Sequence, residues 1–263
     1  MEENNNHSDQ YDAEMERKYL NQAQLVNAAL ASQTLEFDEN DFHSKFRMYP
    51  YRKLEKFLGS LGKSLNNKEV VVLGCGKGFD FFLLKYFYPN VHLTGVDISS
   101  EGVNMITKAF PDCDAVVGDM ENLEFSSNSF DYTLIPAALH HLQDVYRGLY
   151  EAVRISRKGV ILLEPYDSPL ARLATRLGYA HEYEEMGNYV FRTSIREMKK
   201  VGKAMFMDVW AKPYFCPHYT ARSYLDYGVW LAVNWIGDFA ASLVGNECIV
   251  YFRKEVTKNN HIK

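Results

Sequence analysis

The chain opens on polar residues. Residues 1–10 carry almost no apolar side chains, which predicts a disordered tail. From Tyr11 to about Ser32 apolar residues return at helical spacing, with Leu20, Ala23, Val26 and Leu30 on one face. Asn40–Gly59 predicts a polar-aromatic link and then a second helix, in which Leu54, Phe57 and Leu58 share a face and Gly59 is the stop. Short apolar runs then alternate with amphipathic ones. Strands are predicted at Glu69–Leu73, His92–Val96, Ala115–Val117, Phe130–Ile135 and Gly159–Leu163. Helices are predicted at Gly78–Tyr88, at Ser99–Phe110 with Ser99 or Ser100 as the cap, and at Asp144–Ile155. Repeated strand–helix units predict a parallel sheet with helices on both faces.

Beyond Pro165 the alternation lapses. Pro165–Asn188 reads as a loop with one short helix. Ser194–Ala204 reads as a helix opened by the S-x-x-E capping box of Ser194 and Glu197. A strand at Phe206–Phe215, a long apolar-aromatic helix at Thr220–Val244 and a closing strand at Cys248–Phe252 follow. That helix is apolar nearly all round, which predicts burial, a dimer face in a homodimer, or contact with a membrane. Its polar side offers Arg222 and little else basic, which disfavours the membrane.

Composition narrows the function classes. A hydrophobic content of 47% and a charged content of 24% suit one soluble α/β domain of 263 residues. Aromatic residues at 14% serve a core or a pocket for a bulky substrate. Net charge is -5 and no dense Lys/Arg cluster is present, which argues against nucleic acid as partner. Cys75, Cys113, Cys216 and Cys248 form no CxxC pair, so neither a zinc site nor a disulfide framework is expected. Free thiols and a polar, acidic start without a signal-peptide pattern lead us to expect a cytoplasmic protein. The nearest approach to a membrane span, Gly228–Gly245, is broken by Asn234 and Asp238.

The chemistry concentrates at the strand ends. After Val70–Leu73 comes Gly74-Cys75-Gly76-Lys77-Gly78, where glycines permit a tight turn and a close backbone approach to a ligand. Dinucleotide sites place their third glycine one position later, where Phe79 stands here, so the spacing argues against NAD. Asp97 ends the second strand, where a carboxylate accepts ribose hydroxyls of adenosylmethionine and NAD alike. Gly118-Asp119-Met120 follows the third strand; Asp119 suits an adenine amino group, and Met120 offers a main-chain N–H and an apolar contact.

These segments, with GDMENLEFSSNSFDYTLIPAALHHLQDV and LYEAVRISRKGVILLEP, resemble over Val70–Pro165 the class I S-adenosylmethionine-dependent methyltransferase domain of small-molecule type. Glu124 stands where that family usually has proline. The resemblance implies a Rossmann-like, doubly wound, mostly parallel seven-stranded sheet with an antiparallel last strand, an N-terminal helical lid and an insertion after the fifth strand. Residues 1–60 would be the tail and lid, and 61–263 the methyltransferase domain, with a substrate cover at about 165–245. The implied cofactor is S-adenosyl-L-methionine, with S-adenosyl-L-homocysteine as product. Gly74, Gly76 and Gly78, with Cys75 among them, would pass beneath the methionine part. Asp97 would hold the ribose, Ile98 flank the adenine, Asp119 and Met120 bind it, and Pro136 and Ala137 contact the methionine part. Asp80 would reach the ammonium through water. Tyr11, Tyr19 and Arg47 are lid candidates, Arg47 as a partner for the carboxylate.

Methyl transfer needs positioning and exclusion of water, and no metal. A hydroxyl acceptor also needs a base. His141 in HHLQD is the first candidate and Glu164, expected to face the cleft or else to hold Arg or backbone donors, the second; His140 is expected to point elsewhere. Substrate candidates are Tyr166, then His181, Glu182 and Tyr183 in the acidic-aromatic HEYEEMGN, and His218. Acids with aromatics suit a polyhydroxylated ligand or an amine. The expected reaction is O-methylation of a small molecule such as a sugar, a glycan or a lipid-linked precursor. N-methylation, a quinone or polyketide acceptor, and a non-catalytic cofactor-binding regulator stay open.

Overall fold

Apolar runs without alternation are buried on both faces, and here they build the middle of a sheet. The computed structural model describes residues 23–30, 35, 42–178, 182–183, 189–216 and 238–254. Its strands are β1 (Glu69–Leu73), β2 (His92–Asp97), β3 (Asp114–Val117), β4 (Phe130–Pro136), β5 (Ser156–Pro165), β6 (Asp208–Tyr214) and β7 (Glu247–Arg253). They form one seven-stranded sheet in the order β3-β2-β1-β4-β5-β7-β6. Strands β1 to β5 pair in parallel, and β7 runs antiparallel between β5 and β6. The carboxyl ends of β1 to β6 and the amino end of β7 therefore share one edge. The chain order reverses between β1 and β4, where open α/β sheets leave a crevice.

Alternate residues of β1 feed separate cores. Val70 and Val72 pack with Leu54, Leu58 and Leu84 on one face. Val71 and Leu73 pack with Leu149 and Ala152 on the other. The first core is roofed by helices α2 (Phe42–Ser60) and α3 (Phe79–Phe87), the second by α5 (Val145–Ile155). Residues 23–30 form α1, and α4 (Ser100–Ala109) follows β2. Ser99 is the N-cap of α4, its hydroxyl accepting from Gly102 N at 3.0 Å. Asp144 caps α5 through the N–H groups of Tyr146 and Arg147. The segment after β5 holds α6 (Pro169–Arg176) and α7 (Ile195–Ala204), and α8 (Asp238–Val244) precedes β7. Among the described residues no helix is long and apolar enough to cross a membrane.

Two boundaries depart from expectation. The polar-aromatic link is helical: α2 begins at Phe42 and runs through Pro50. Strand β5 begins three residues early, at Ser156, although Arg157 and Lys158 are charged. Those side chains lie at the sheet's end, where Arg157 pairs with Glu69 and Asp131, and Lys158 with Asp131. The predicted helix Thr220–Val244 is described only over Asp238–Val244, and its first part lies outside the described residues.

Gly78 joins α3 to the body of the domain. It has φ 87°, and a Cβ there would sit 2.5 Å from Ile106 Cγ1 of α4. Gly78→Ala would combine left-handed strain with overpacking. We expect a loss of about 2–4 kcal/mol in unfolding free energy by urea titration; an unchanged midpoint would contradict this account.

Candidate functional site

At the shared edge the turn after β1 meets the end of β2. Gly74 N and Cys75 N both donate to Val96 O. Asp97 is buried, and its carboxylate accepts from Gly76 N at 2.6 Å and from Ser99 N at 2.9 Å. Burial raises the Asp97 pKa, while these two N–H groups and the nearby His141 oppose the rise. A carboxylate oxygen has room for a second donor, and Asp97 lines a cavity with Gly74, Gly76, Ile98, Asp119, Met120 and His141. Gly74 lies so close to Ala138 that a Cβ would overlap the alanine's own, so only glycine lets the two loops meet.

Helix α1 covers this cavity. Val26 lines it, and Asn27 Oδ1 accepts from the Ser99 hydroxyl at 2.6 Å and from Glu101 N at 3.1 Å. Below, Asp119 Oδ1 takes Glu121 N at 2.7 Å. Glu121 Oε1 then takes Gln143 N and Asp144 N, which ties the acidic loop to the start of α5.

The loop after β4 is held from beneath. Glu164 is fully buried and accepts from Ala138 N at 2.9 Å and Leu139 N at 2.8 Å, and its other oxygen lies 2.7 Å from His140 Nδ1. Glu164 as a cleft-facing base is therefore corrected, and the alternative, that it holds backbone donors, is what the structure shows. Its carboxylate is enclosed and engaged with three nitrogen donors or partners. His140 is buried against it, while the His141 ring packs tilted against His140 with centroids 4.2 Å apart and lines the Asp97 cavity.

A second cavity opens across Ala137, which lines both. Ala137 has φ 51°, an uncommon angle for a residue with a side chain. Pro136, Arg47, Tyr51, Asp80, Tyr214 and Glu247 line this second space. The Arg47 guanidinium sits over the Phe79 ring at 4.5 Å. Tyr51 donates its hydroxyl to Asp80 Oδ1 at 2.6 Å. Burial pushes the Asp80 pKa up to about 6, against the hydrogen bond from Tyr51 and the charge of Arg47.

Other expected residues lie elsewhere. The Cys75 side chain turns into the core beside Gly95, so only its backbone belongs to the turn. Gly78 is buried against α4 and lines neither cavity. Tyr166 donates to Ser242 O at 3.3 Å and faces a separate groove beside the basic helix α7. Glu182 and Tyr183 are exposed, and Tyr183 packs edge-on against Tyr189 at 5.6 Å. Neither lines the two cavities. Tyr11, Tyr19, His181 and His218 lie outside the described residues.

Residues 71–163 match a family model described as a methyltransferase domain. Residues 71–163 therefore form a methyltransferase domain. It is 33% identical over 114 residues to a demethylmenaquinone methyltransferase of Thermotoga maritima, covering 43% of this chain and 50% of that protein. It is 36% identical over 98 residues to a phthiotriol/phenolphthiotriol dimycocerosates methyltransferase of Mycobacterium tuberculosis, covering 36% of each. The chain thus matches half or less of the length of these relatives. In fold it is similar to a magnesium protoporphyrin IX methyltransferase from Synechocystis with bound S-adenosylhomocysteine. There the TM-score is 0.57 at 13% identity, covering 92% of this chain and 100% of that one.

The methyltransferase domain's donor set suits its cofactor: a buried acceptor at Asp97, an apolar wall from Met120 and Ile98, and a glycine turn with no side chains in the way. Sequence reasoning missed Asn27, Tyr51, Tyr214 and Glu247. Each lies far along the chain from the glycine turn, and no local motif marks them. Glu164→Ala would strand two N–H groups and His140, and we expect a loss of about 3–5 kcal/mol of stability by chemical denaturation. A loss under about 1 kcal/mol would contradict the bracing role.

Proposed function

We propose that this chain transfers the methyl group of S-adenosylmethionine to a hydroxyl of a small molecule. One observation carries the reading: the Asp97 carboxylate, clamped by two main-chain N–H groups, lines a cavity that shares Ala137 as a wall with a second, acidic and aromatic one. Asp97 would take the ribose hydroxyls; Ile98, Asp119 and Met120 would enclose the adenine; Gly74 and Gly76 would lie beneath the methionine part. Pro136, Ala137 and Arg47 would meet its far end. The cofactor supplies an electrophilic methyl group when bound. The protein's own part is to hold acceptor and donor together, to shut out water and to receive the acceptor's proton. His141 lies on the Asp97 wall, and we assign it first to cofactor binding.

The acceptor belongs in the second cavity, where Asp80 and Glu247 among Tyr51, Phe79 and Tyr214 suit hydroxyl groups on a carbon framework. Sugars, glycans and lipid-linked precursors fit that description. The relatives named for demethylmenaquinone and for phthiotriol dimycocerosates favour a second reading, a quinone or lipid acceptor. Residues 61–263 would be the catalytic domain, with the segment about 165–245 as substrate cover. Cys75, Cys216 and Cys248 are buried and in no disulfide among the described residues, which supports a cytoplasmic setting.

Calorimetry with S-adenosylhomocysteine tests the cofactor reading. Wild type should bind, and Asp97→Ala should weaken binding by about 10–100-fold, the worth of hydrogen bonds to a charged group. Heat with NAD and none with S-adenosylhomocysteine would sink it.

A further inference from the structure

We propose that Glu247 is the group that receives the acceptor's proton, from within the cavity beyond Ala137. This rests on the methyl-transfer reading above and adds a residue to it. Strand β7 is antiparallel to both neighbours, so its first residue reaches the ligand edge of the sheet. There Glu247 pairs with Pro165 at the carboxyl end of β5 and with Tyr214 at the carboxyl end of β6. Side chains alternate along a strand, and Glu247 shares the face of Ile249 and Tyr251, toward α2 and α3. Its residue surface is 9% exposed, yet it lines the cavity. No hydrogen bond or ion pair to a described residue engages its carboxyl group. A buried carboxyl without a partner is costly to the fold unless something else uses it.

The other acids near the site are occupied. Glu164 is engaged on the opposite face of the sheet. Asp80 holds the Tyr51 hydroxyl. Asp97 holds two main-chain N–H groups in the other cavity. In the step itself, the acceptor oxygen forms the O–CH3 bond with a lone pair and its O–H proton passes to Glu247. The S–CH3 bond breaks with its electron pair remaining on sulfur. The products are the methyl ether, S-adenosylhomocysteine and protonated Glu247, which returns its proton to solvent.

Several charged or titratable groups act on Glu247 or share its cavity. Glu164 on β5 raises its pKa and His140 lowers it, while Tyr214 on β6, Arg47 and Tyr51 on α2 and Asp80 on α3 share its cavity. Burial dominates and pushes the pKa up to about 8. The folded-state value lies above the unfolded one. Stability from this group is therefore present below about pH 4.5 and lost as the pH rises through about 8.

The test compares wild type, Glu247→Gln and Glu247→Asp. All three should bind S-adenosylhomocysteine with affinities within about threefold. Failure of wild type to bind would overturn the cofactor reading and leave the titration of Glu247 to be judged on its own. Urea midpoints between pH 6 and 9 should fall in wild type and stay flatter in Glu247→Gln. Equal slopes would overturn the proposal without any assay of transfer.

Labelled methyl transfer from S-adenosylmethionine to a small-molecule cell extract should rise toward pH 8 in wild type. It should drop about 100-fold or more and lose that rise in Glu247→Gln, with partial recovery in Glu247→Asp. A Glu247→Gln enzyme that keeps the rate or the rise would overturn the proposal. Transfer absent from wild type, with the midpoint slopes as expected, would count against the methyl-transfer reading alone.

Discussion

The site depends on one carboxylate that never meets solvent. Glu164 sits at the end of β5, fully buried, and holds Ala138 N and Leu139 N while bracing His140. Those bonds set the loop after β4. That loop places Ala138 against Gly74 and leaves Ala137 between the two cavities. Without the acceptor, two N–H groups would be buried unpaired, each worth about 1–3 kcal/mol. The ligand edge is thus a mutually supported arrangement. The β1 turn is shaped by Asp97, the β4 loop by Glu164, and the two meet where only glycine fits.

Much of the fold was legible because parallel strands buried on both faces read as plain apolar runs. Val70–Leu73 and Leu134–Ile135 show this. The lining of the Asp97 cavity was legible for a related reason. Gly74, Gly76, Asp97, Asp119 and Met120 sit at successive strand ends, so their order along the chain mirrors their order along the sheet edge. What escaped has a physical cause in each instance. Arg157 and Lys158 belong to a strand whose end is solvated, where ion pairs replace a core. Glu164 has the same local pattern whether its side chain faces a cleft or the interior; only the neighbouring loop decides. Tyr166 follows the opposite course, leaving the cleft for a groove beside α7 because its hydroxyl finds Ser242 O.

The second cavity was illegible because its walls come from opposite ends of the chain. Tyr51 is on α2, Asp80 on α3, Tyr214 on β6 and Glu247 on β7. No window of sequence spans them, and β7 reaches the ligand edge only because it runs antiparallel. Asn27 escaped likewise: it is an ordinary polar residue on an amphipathic helix until α4 presents Ser99 and Glu101 to it.

The two carboxylates of the second cavity differ in how burial is compensated. Glu247 is buried and Asp80 half-buried, and desolvation raises both pKa values. Asp80 recovers part of the cost through Tyr51, which holds its oxygen at 2.6 Å. Glu247 recovers none from a described hydrogen bond, and the nearby Glu164 raises its pKa further while His140 only partly opposes. A glutamine of the same shape would carry no charge to bury, so packing alone does not account for a carboxyl there. A group held near neutrality in an apolar wall, able to exchange a proton near physiological pH, is what acid–base chemistry requires. Glu247, without a hydrogen-bond partner among the described residues, lies on the cavity wall, while Glu164 is saturated with partners, and that contrast supports different roles for the two.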